Sequence, residues 1–473
     1  MIFNSLAFIT FFPTFFILYW GLINDNKKSQ NILVIIASYI FYGWWDWRFL
    51  FLIFFSSVVD YSIGLGLSAT SKVSKRKFLL GLSLSINLGL LGFFKYFNFF
   101  IENFNTAFGS AGINTNISSL NIILPVGISF YTFQTMSYTI DIYRNKIKPT
   151  KDIFAFIAFI SFFPQLVAGP IERASHLLPQ FLKNRKFDYK KAVSGIKLIV
   201  FGFFKKIVIA DNSAQLVNEI FQNYPNESYL SLIMGTVLFA FQIYCDFSGY
   251  SDIAIGLSRI LGFDLMYNFK FPYLSSNIRE FWNRWHISLS SWFRDYVYIP
   301  LGGNKVSQPR VLFNTFCVFI ISGFWHGANW TFVFWGVLHA LFFMPIILFR
   351  EKFPKENFHF SLKKLFFILV NFGLVCLAWV FFRAENIQDA LLYIRQIFSL
   401  AEGQSAFMKT NTHFLMTLIT GIGISILLTL EMKTLLKQKK EIEFSPLGLV
   451  AVILLTLFLG AFKNQADFIY FQF

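Results

Sequence analysis

Long apolar runs separated by short polar or basic stretches dominate the chain. About 20 mostly apolar residues cross a hydrocarbon layer as a helix. Candidate runs are 5–23, 31–45, 49–69, 78–100, 122–143, 193–210, 229–263, 311–322, 331–348, 365–382, 413–430 and 447–462. None alternates apolar and polar positions as a membrane β-strand does, so the predicted class is an all-α polytopic membrane protein with about 11–12 spanning helices. Two stretches do not fit a simple crossing. Residues 153–168 are apolar, yet Lys148 and Lys151 precede them, Arg173, Lys183, Arg185 and Lys186 follow, and Pro164, Gly169 and Pro170 fall within or just after. A re-entrant segment satisfies that pattern, because irregular backbone at membrane depth needs protein or a wet cavity around it. Residues 264–310 are too polar to span but rich in Trp, Tyr and Phe, which predicts an interfacial segment on the cytoplasmic side. The run 229–263 is long for one helix, and a break is expected near Gly249.

Composition agrees with that reading. The chain is 55% hydrophobic and 14% charged, against about 25% charged in soluble domains, so the bilayer is its main solvent. The formal charge of +16 sits in loops rather than in a nucleic-acid-binding face. Lys27 and Lys28, then Lys72, Lys75, Arg76 and Lys77, then Arg144, Lys146, Lys148 and Lys151 mark alternate loops as cytoplasmic, whereas 102–121 has no Lys or Arg and 211–228 is acidic, so both face out. No basic residue precedes run 5–23 and no small-residue cleavage site follows it, so it reads as a retained anchor. No repeat or long linker appears. The chain reads as one membrane domain, 1–473, with N-terminal helices over about 1–110, a core over about 120–350 and C-terminal helices over about 360–473. Cys245, Cys317 and Cys376 lie in apolar runs without metal-ligand spacing and read as inert thiols. No HExxH-type pair is present, so no catalytic metal is expected.

Four motifs carry candidate chemistry. GFWHGANW, residues 323–330, places His326 between two apolar runs with Gly323 and Gly327 beside it. An ionisable group at membrane depth marks a functional site, and histidine is the usual general base near neutral pH. The glycines are read as room for a close-approaching substrate, and the alternative is a buried histidine satisfied by a neighbouring helix. REFWNRWHISLSSWFRDY, residues 279–296, taken as one helix, gives an aromatic face of Trp282, Trp285, Leu289, Trp292, Phe293 and Tyr296. A narrow strip of Arg279, Asn283, His286 and Ser290 runs along one edge. That strip lines a polar cavity or is the snorkelling edge of an interfacial helix. By topology His286 falls on the cytoplasmic side and His326 toward the outer face, facing opposite ends of one channel. YCDFSGYSDIAIG, residues 244–256, puts Asp246 and Asp252 in an apolar run as helix caps or interhelical partners before catalytic carboxylates. PQLVAGPIER, residues 164–173, offers Gln165, Glu172 and Arg173 at the re-entrant turn. His176, His339, His359 and His413 show no partner pattern; His339 reads as a packed helix residue, His359 and His413 as solvated.

Together these strings, with EFWNRWHISLSSWFRDYVYIPLGGN (280–304), GFWHGANWTFVFWGVLHA (323–340) and the closing FIYFQF (468–473), resemble the membrane-bound O-acyltransferase (MBOAT) family, in its bacterial alginate O-acetyltransferase-like branch. The resemblance implies a ring of helices around a central tunnel. It puts the catalytic histidine on His326 and a second functional histidine on His286, with Asn283 beside it. Arg279, Trp325 and Asn329 are further substrate-binding candidates. It implies acetyl-CoA as a donor substrate rather than a resident cofactor. It also implies a secreted SGNH-type partner, an exported polysaccharide as final acceptor, and residence in the bacterial cytoplasmic (inner) membrane. The alternatives are D-alanyl transfer to a teichoic-acid-like polymer and, in another class, a transporter of acyl donor or polysaccharide. The transporter reading predicts inverted repeats and no need for a base.

Overall fold

Backbone in lipid must satisfy its own hydrogen bonds, and the apolar runs meet that demand as helices. The computed structural model describes residues 1–23, 26–113, 115, 117–167, 169–349, 361–400, 402–439, 441–463, 466, 468 and 469. Among them each predicted apolar run carries a helix, although 122–127 is not helical, and the only bridge outside helices joins Glu227 to Gln404. Six helices among the described residues are long and apolar enough to cross a membrane: Arg48–Ser68, Val73–Ser110, Tyr229–Ile260, Trp330–Leu348, Leu362–Arg383 and Asn411–Leu436. Leu6–Leu22 and Pro446–Leu459 are shorter apolar helices. Runs 31–45, 122–143, 193–210 and 311–322 form Lys27–Gly43, Ile128–Tyr143, Tyr189–Phe203 continued by a π-helical Phe204–Ala210, and Gln308–His326. The fold is therefore that of an all-α, multi-pass membrane protein.

The re-entrant stretch is split as its prolines and glycines suggest. Ile153–Ser161 and Phe163–Leu166 are separated at Phe162, whose ψ is 103°. Nine residues reach roughly 13 Å, less than half a hydrocarbon layer. Residues 155–167 are all buried, so protein shelters the irregular backbone.

The chain divides into two compact units, 1–196 with 253–266, and 197–252 with 267–473. In the first, Asp60 accepts from Ser83 Oγ at 2.6 Å and Asn87 Nδ2 at 2.8 Å, while Ser83 meets Thr139 Oγ1 at 3.0 Å. These buried bonds stitch three helices where apolar packing alone gives little net drive in lipid. Glu172, at the re-entrant turn, is a buried anchor. Its Oε1 accepts from the Met266 amide at 2.5 Å and its Oε2 meets His176 Nδ1 at 2.7 Å. The Glu172/His176 spacing of four residues was a readable helix-neighbour signal. Gln165 and Arg173 are buried in the same unit.

In the second unit, the large rings of Trp285, Trp335 and Trp379 form the core with the helices around them. The expected break near Gly249 is absent: Tyr229–Ile260 is one helix of 32 residues. The glycine serves packing. A Cβ there would stand 2.7 Å from the Gly202 carbonyl oxygen and 3.2 Å from the Lys206 amide nitrogen. Asp246 and Asp252 therefore cap nothing; they face the neighbouring helix and pair with its lysines at 2.7 Å.

Two outcomes follow. Gly249→Val overpacks this contact, a change typically costing about 1–3 kcal/mol, so the purified protein should melt several degrees lower; an unchanged melting temperature contradicts the close approach. The Glu172 hydrogen bond raises the His176 imidazole above its ordinary 6.5, while burial raises the Glu172 carboxyl. A histidine raised in the folded state gives stability that is complete below 6.5 and lost as pH climbs through the raised value. Hydrogen exchange at Met266 should accelerate over that upward window in the wild type and show no such step in His176→Ala.

Candidate active site

His326 is the last residue of the helix Gln308–His326, and Gly327 leaves it in extended conformation. Asn329 then caps the next helix, Trp330–Leu348, its Oδ1 accepting from the Thr331 amide at 3.0 Å, while its Nδ2 donates to the Glu385 carbonyl at 2.8 Å. Both ends of this substrate-binding candidate thus bond to backbone. The two helices lie very close. A Cβ on Gly323 would stand 2.1 Å from the Phe332 carbonyl oxygen, one on Gly336 2.3 Å from that of Phe319, and one on Gly327 2.1 Å from the Phe332 ring. The glycines beside His326 therefore admit the neighbouring helix and Phe332, and not the substrate room expected from sequence. Small residues at such a crossing let backbones approach where lipid offers no drive of its own. The His326 ring is buried and stands edge-on to Trp325, Trp335 and Phe382, with centroids at 5.0, 5.2 and 5.2 Å.

His286 sits at a break that the sequence hid. Residues 279–296 are two short helices, Ile278–Arg284 and Ile287–Phe293, followed by the π-helical Arg294–Tyr298, and not one helix. Trp285 is extended, and His286 is left-handed with φ 43° and ψ 52°. A non-glycine residue held there costs about 1–3 kcal/mol and such outliers gather at functional sites. An adjacent segment absorbs the freed peptide groups: Lys270 N donates to the Arg284 carbonyl, Ile287 N to the Asn268 carbonyl, both at 2.9 Å, and Ser288 Oγ donates to Asn268 Oδ1 at 2.5 Å. The turn carries His286 out of the predicted strip and into the core, against Phe247 at 4.7 Å and Trp325 at 6.0 Å. The two histidines expected at opposite ends of a channel thus share one neighbour, the buried Trp325.

The rest of the strip faces a cavity. Arg279, Asn283 and Ser290 line a cavity of about 820 Å³ together with Arg294, Tyr298 and Ser322. Arg279 and Arg294 give it cationic character. Ser322 lies one turn before His326 on the same helix. Trp282 and Phe319, also in its wall, pack on buried His339 at 5.0 and 6.1 Å, and His339 meets Trp335 at 4.7 Å. The walls of this cavity do not include His286, His326, Trp325 or Asn329. His339 is the packed helix residue expected. His413 is engaged where solvation was expected: its Nε2 stands 3.1 Å from Glu219. His359 lies outside the described residues. Lys205, Lys206 and Glu431, each buried, were passed over because a single charge in an apolar run does not announce its partner.

The family model described as MBOAT, membrane-bound O-acyltransferase family, matches residues 144–386, just over half of the chain. The chain is 34% identical to a peptidoglycan O-acetyltransferase of Helicobacter pylori, covering 100% of this chain and 98% of that protein. It is 39% identical to a probable alginate O-acetylase of Pseudomonas aeruginosa, over 85% of this chain and 76% of the other. A teichoic acid D-alanyltransferase of Bacillus subtilis is 30% identical, over 56% and 70% of the two chains.

Proposed function

Because the chain belongs to the membrane-bound O-acyltransferase family and is an O-acyltransferase, we propose that it takes an acetyl group from cytoplasmic acetyl-CoA. It passes the group through the membrane toward a hydroxyl of an exported cell-surface polysaccharide. The observation that carries this reading is the cavity lined by Arg279, Asn283 and Arg294 whose inner wall includes Ser322, one turn from His326. Its volume lies within the roughly 300–1,000 Å³ of small-molecule sites, enough for a pantetheine arm. The two arginines suit the phosphates of a coenzyme A headgroup. The basic loops that mark the cytoplasmic side by charge supply the sidedness.

In this reaction His326 takes the proton from the acceptor hydroxyl as its oxygen attacks the thioester carbonyl carbon. The tetrahedral intermediate collapses with loss of the carbon–sulfur bond, and the coenzyme A thiolate is protonated as it leaves. General-base help is typically worth about 10² to 10⁴ in rate. Asn283, in the cavity wall, supplies a hydrogen bond to the developing oxyanion, a contact worth roughly 3 kcal/mol. His286 acts behind it, its ring held by the strained turn and the Trp325 face. The acetyl preference rests on the O-acetyl-transferring relatives, which match most of this chain; the D-alanyl relative matches a smaller share. An SGNH-type secreted partner completes delivery, and the bacterial cytoplasmic membrane is the site of action.

Purified protein in vesicles should consume labelled acetyl-CoA in preference to a D-alanyl carrier protein; the reverse preference overturns the donor assignment. His326→Ala should lower acetyl transfer by about 10² to 10⁴ at normal membrane levels. Full O-acetylation of surface glycan in a strain carrying it would remove His326 from the chemistry. His286→Ala should lose at least about tenfold, by comparison with the second-layer losses of other buried sites, with the acetyl-CoA KM little changed.

A further inference from the structure

In the second unit Lys205, Lys206, Asp211, Asp246 and Asp252 form a cluster of buried or nearly buried charges that the acyl-transfer steps do not use. Lys205 and Lys206 are consecutive, in the π-helical turn Phe204–Ala210. Lys205 Nζ stands 2.7 Å from Asp252 and donates to Ser248 Oγ at 3.0 Å. Lys206 Nζ stands 2.7 Å from Asp246 and 2.8 Å from Asp211. The side chains of Lys206, Asp211 and Asp246 are 6%, 0% and 4% exposed, so an apolar medium surrounds the charges and each needs its partner. What sets the Lys206 group apart from a plain helix staple is a third party. Lys206 Nζ also donates to the Ala466 carbonyl at 3.0 Å, and Asp246 Oδ2 accepts from the Ile469 amide at 2.7 Å. The cation thus holds a carbonyl and the carboxylate an amide of the same C-terminal segment.

That segment reaches His286. Phe468, buried beside Ile469, packs on Tyr250 at 4.7 Å and on Phe247 at 6.1 Å. Phe247 in turn stands edge-on to His286 at 4.7 Å. Phe468 is thereby joined to His286 through the Phe247 ring.

We propose that Lys206, Asp211 and Asp246 form an ionic latch that seats Ala466, Phe468 and Ile469, so that Phe468 fixes Phe247 against His286. They are positioning residues for acyl transfer. Asp246 is the member to remove. Without it Lys206 remains paired one-to-one with Asp211, and no lone charge is left buried, the situation that makes a broken buried pair most damaging. The effect on rate rests on the function proposed above; the seating of the segment does not.

The experiment compares full-length wild type, Asp246→Leu, and Asp246→Asn, which keeps an acceptor oxygen for the Ile469 amide. Each is read by hydrogen–deuterium exchange of the C-terminal peptide that contains Ile469, and by kcat and KM for acetyl-CoA. Asp246→Leu should accelerate exchange of that peptide at least about tenfold, the loss expected when a protecting hydrogen bond and its ion pair open. It should also lower kcat at least about tenfold with KM within about twofold, as for loss of a transition-state contact. Asp246→Asn should restore most of both. A peptide that stays protected in Asp246→Leu overturns the latch. A freed peptide with unchanged kcat overturns its link to His286. If no wild-type acetyl transfer is found, the exchange result still decides the latch, and only the proposed function fails. Should Asp246→Leu not accumulate, Phe468→Ala is read in its place: kcat should fall with His286→Ala-like KM behaviour, and an unchanged kcat rejects the coupling.

Discussion

A peptide group in hydrocarbon has no water to bond, and each unsatisfied one costs several kcal/mol. That constraint makes the chain helical almost everywhere. It also makes each departure from the α-helix informative, because something in the protein must hold it. At residues 285–286 the backbone leaves the helix, and Asn268 and Lys270 collect the freed groups. At Phe162 it leaves again, inside a stretch that is buried on both sides of the break. At residues 204–210 it widens to a π turn, and the two lysines there find aspartates across a glycine contact. The histidine turn and the lysine pair are two of the places where the fold departs from the cheapest backbone solution.

The same constraint explains how the site is built. With no hydrophobic drive between helices in lipid, close crossings need small residues. Gly323 and Gly336 bring the His326 helix against its neighbour. This fixes the end of that helix, and so the imidazole, by backbone-to-backbone packing instead of a loop. Trp325, Trp335 and Phe382 then close three sides of the ring. A side chain held in this way has little freedom left to lose. The cationic cavity approaches along the same helix, one turn away at Ser322.

Much of this was legible before any coordinates. Apolar runs of spanning length gave the helices, and flanking basic residues with Pro164 and Gly169 gave the broken re-entrant stretch. Helical spacing put Arg279 and Asn283 on one edge, as a cavity lining or a snorkelling edge; Ser290 joins them in the cavity wall from a second helix across the break. Three features were not legible, each for a stated reason. The turn at His286 contains no proline or glycine and depends on Asn268, some 18 residues away in sequence and unmarked by any local signal. Gly249 was read as a hinge because a glycine in a helix has two meanings, freedom and close approach; only the Gly202 carbonyl beside it decides between them. Lys205 and Lys206 were passed over, since Asp252 and Asp246 lie on another helix and nothing local marks the pairing.

The family relation makes acyl transfer secure, and the geometry supplies the part that is specific to this chain: a histidine at a helix end, with a strained histidine sharing its tryptophan wall. The claim on which the account turns is that His326 is the proton acceptor. The pH dependence of kcat, measured with acetyl-CoA on vesicle-reconstituted protein, tests it most directly. The account predicts a rate that falls toward acid as one base is protonated, and an acid limb that disappears in the residual activity of His326→Gln. The same limb persisting in that variant would assign the base to another residue.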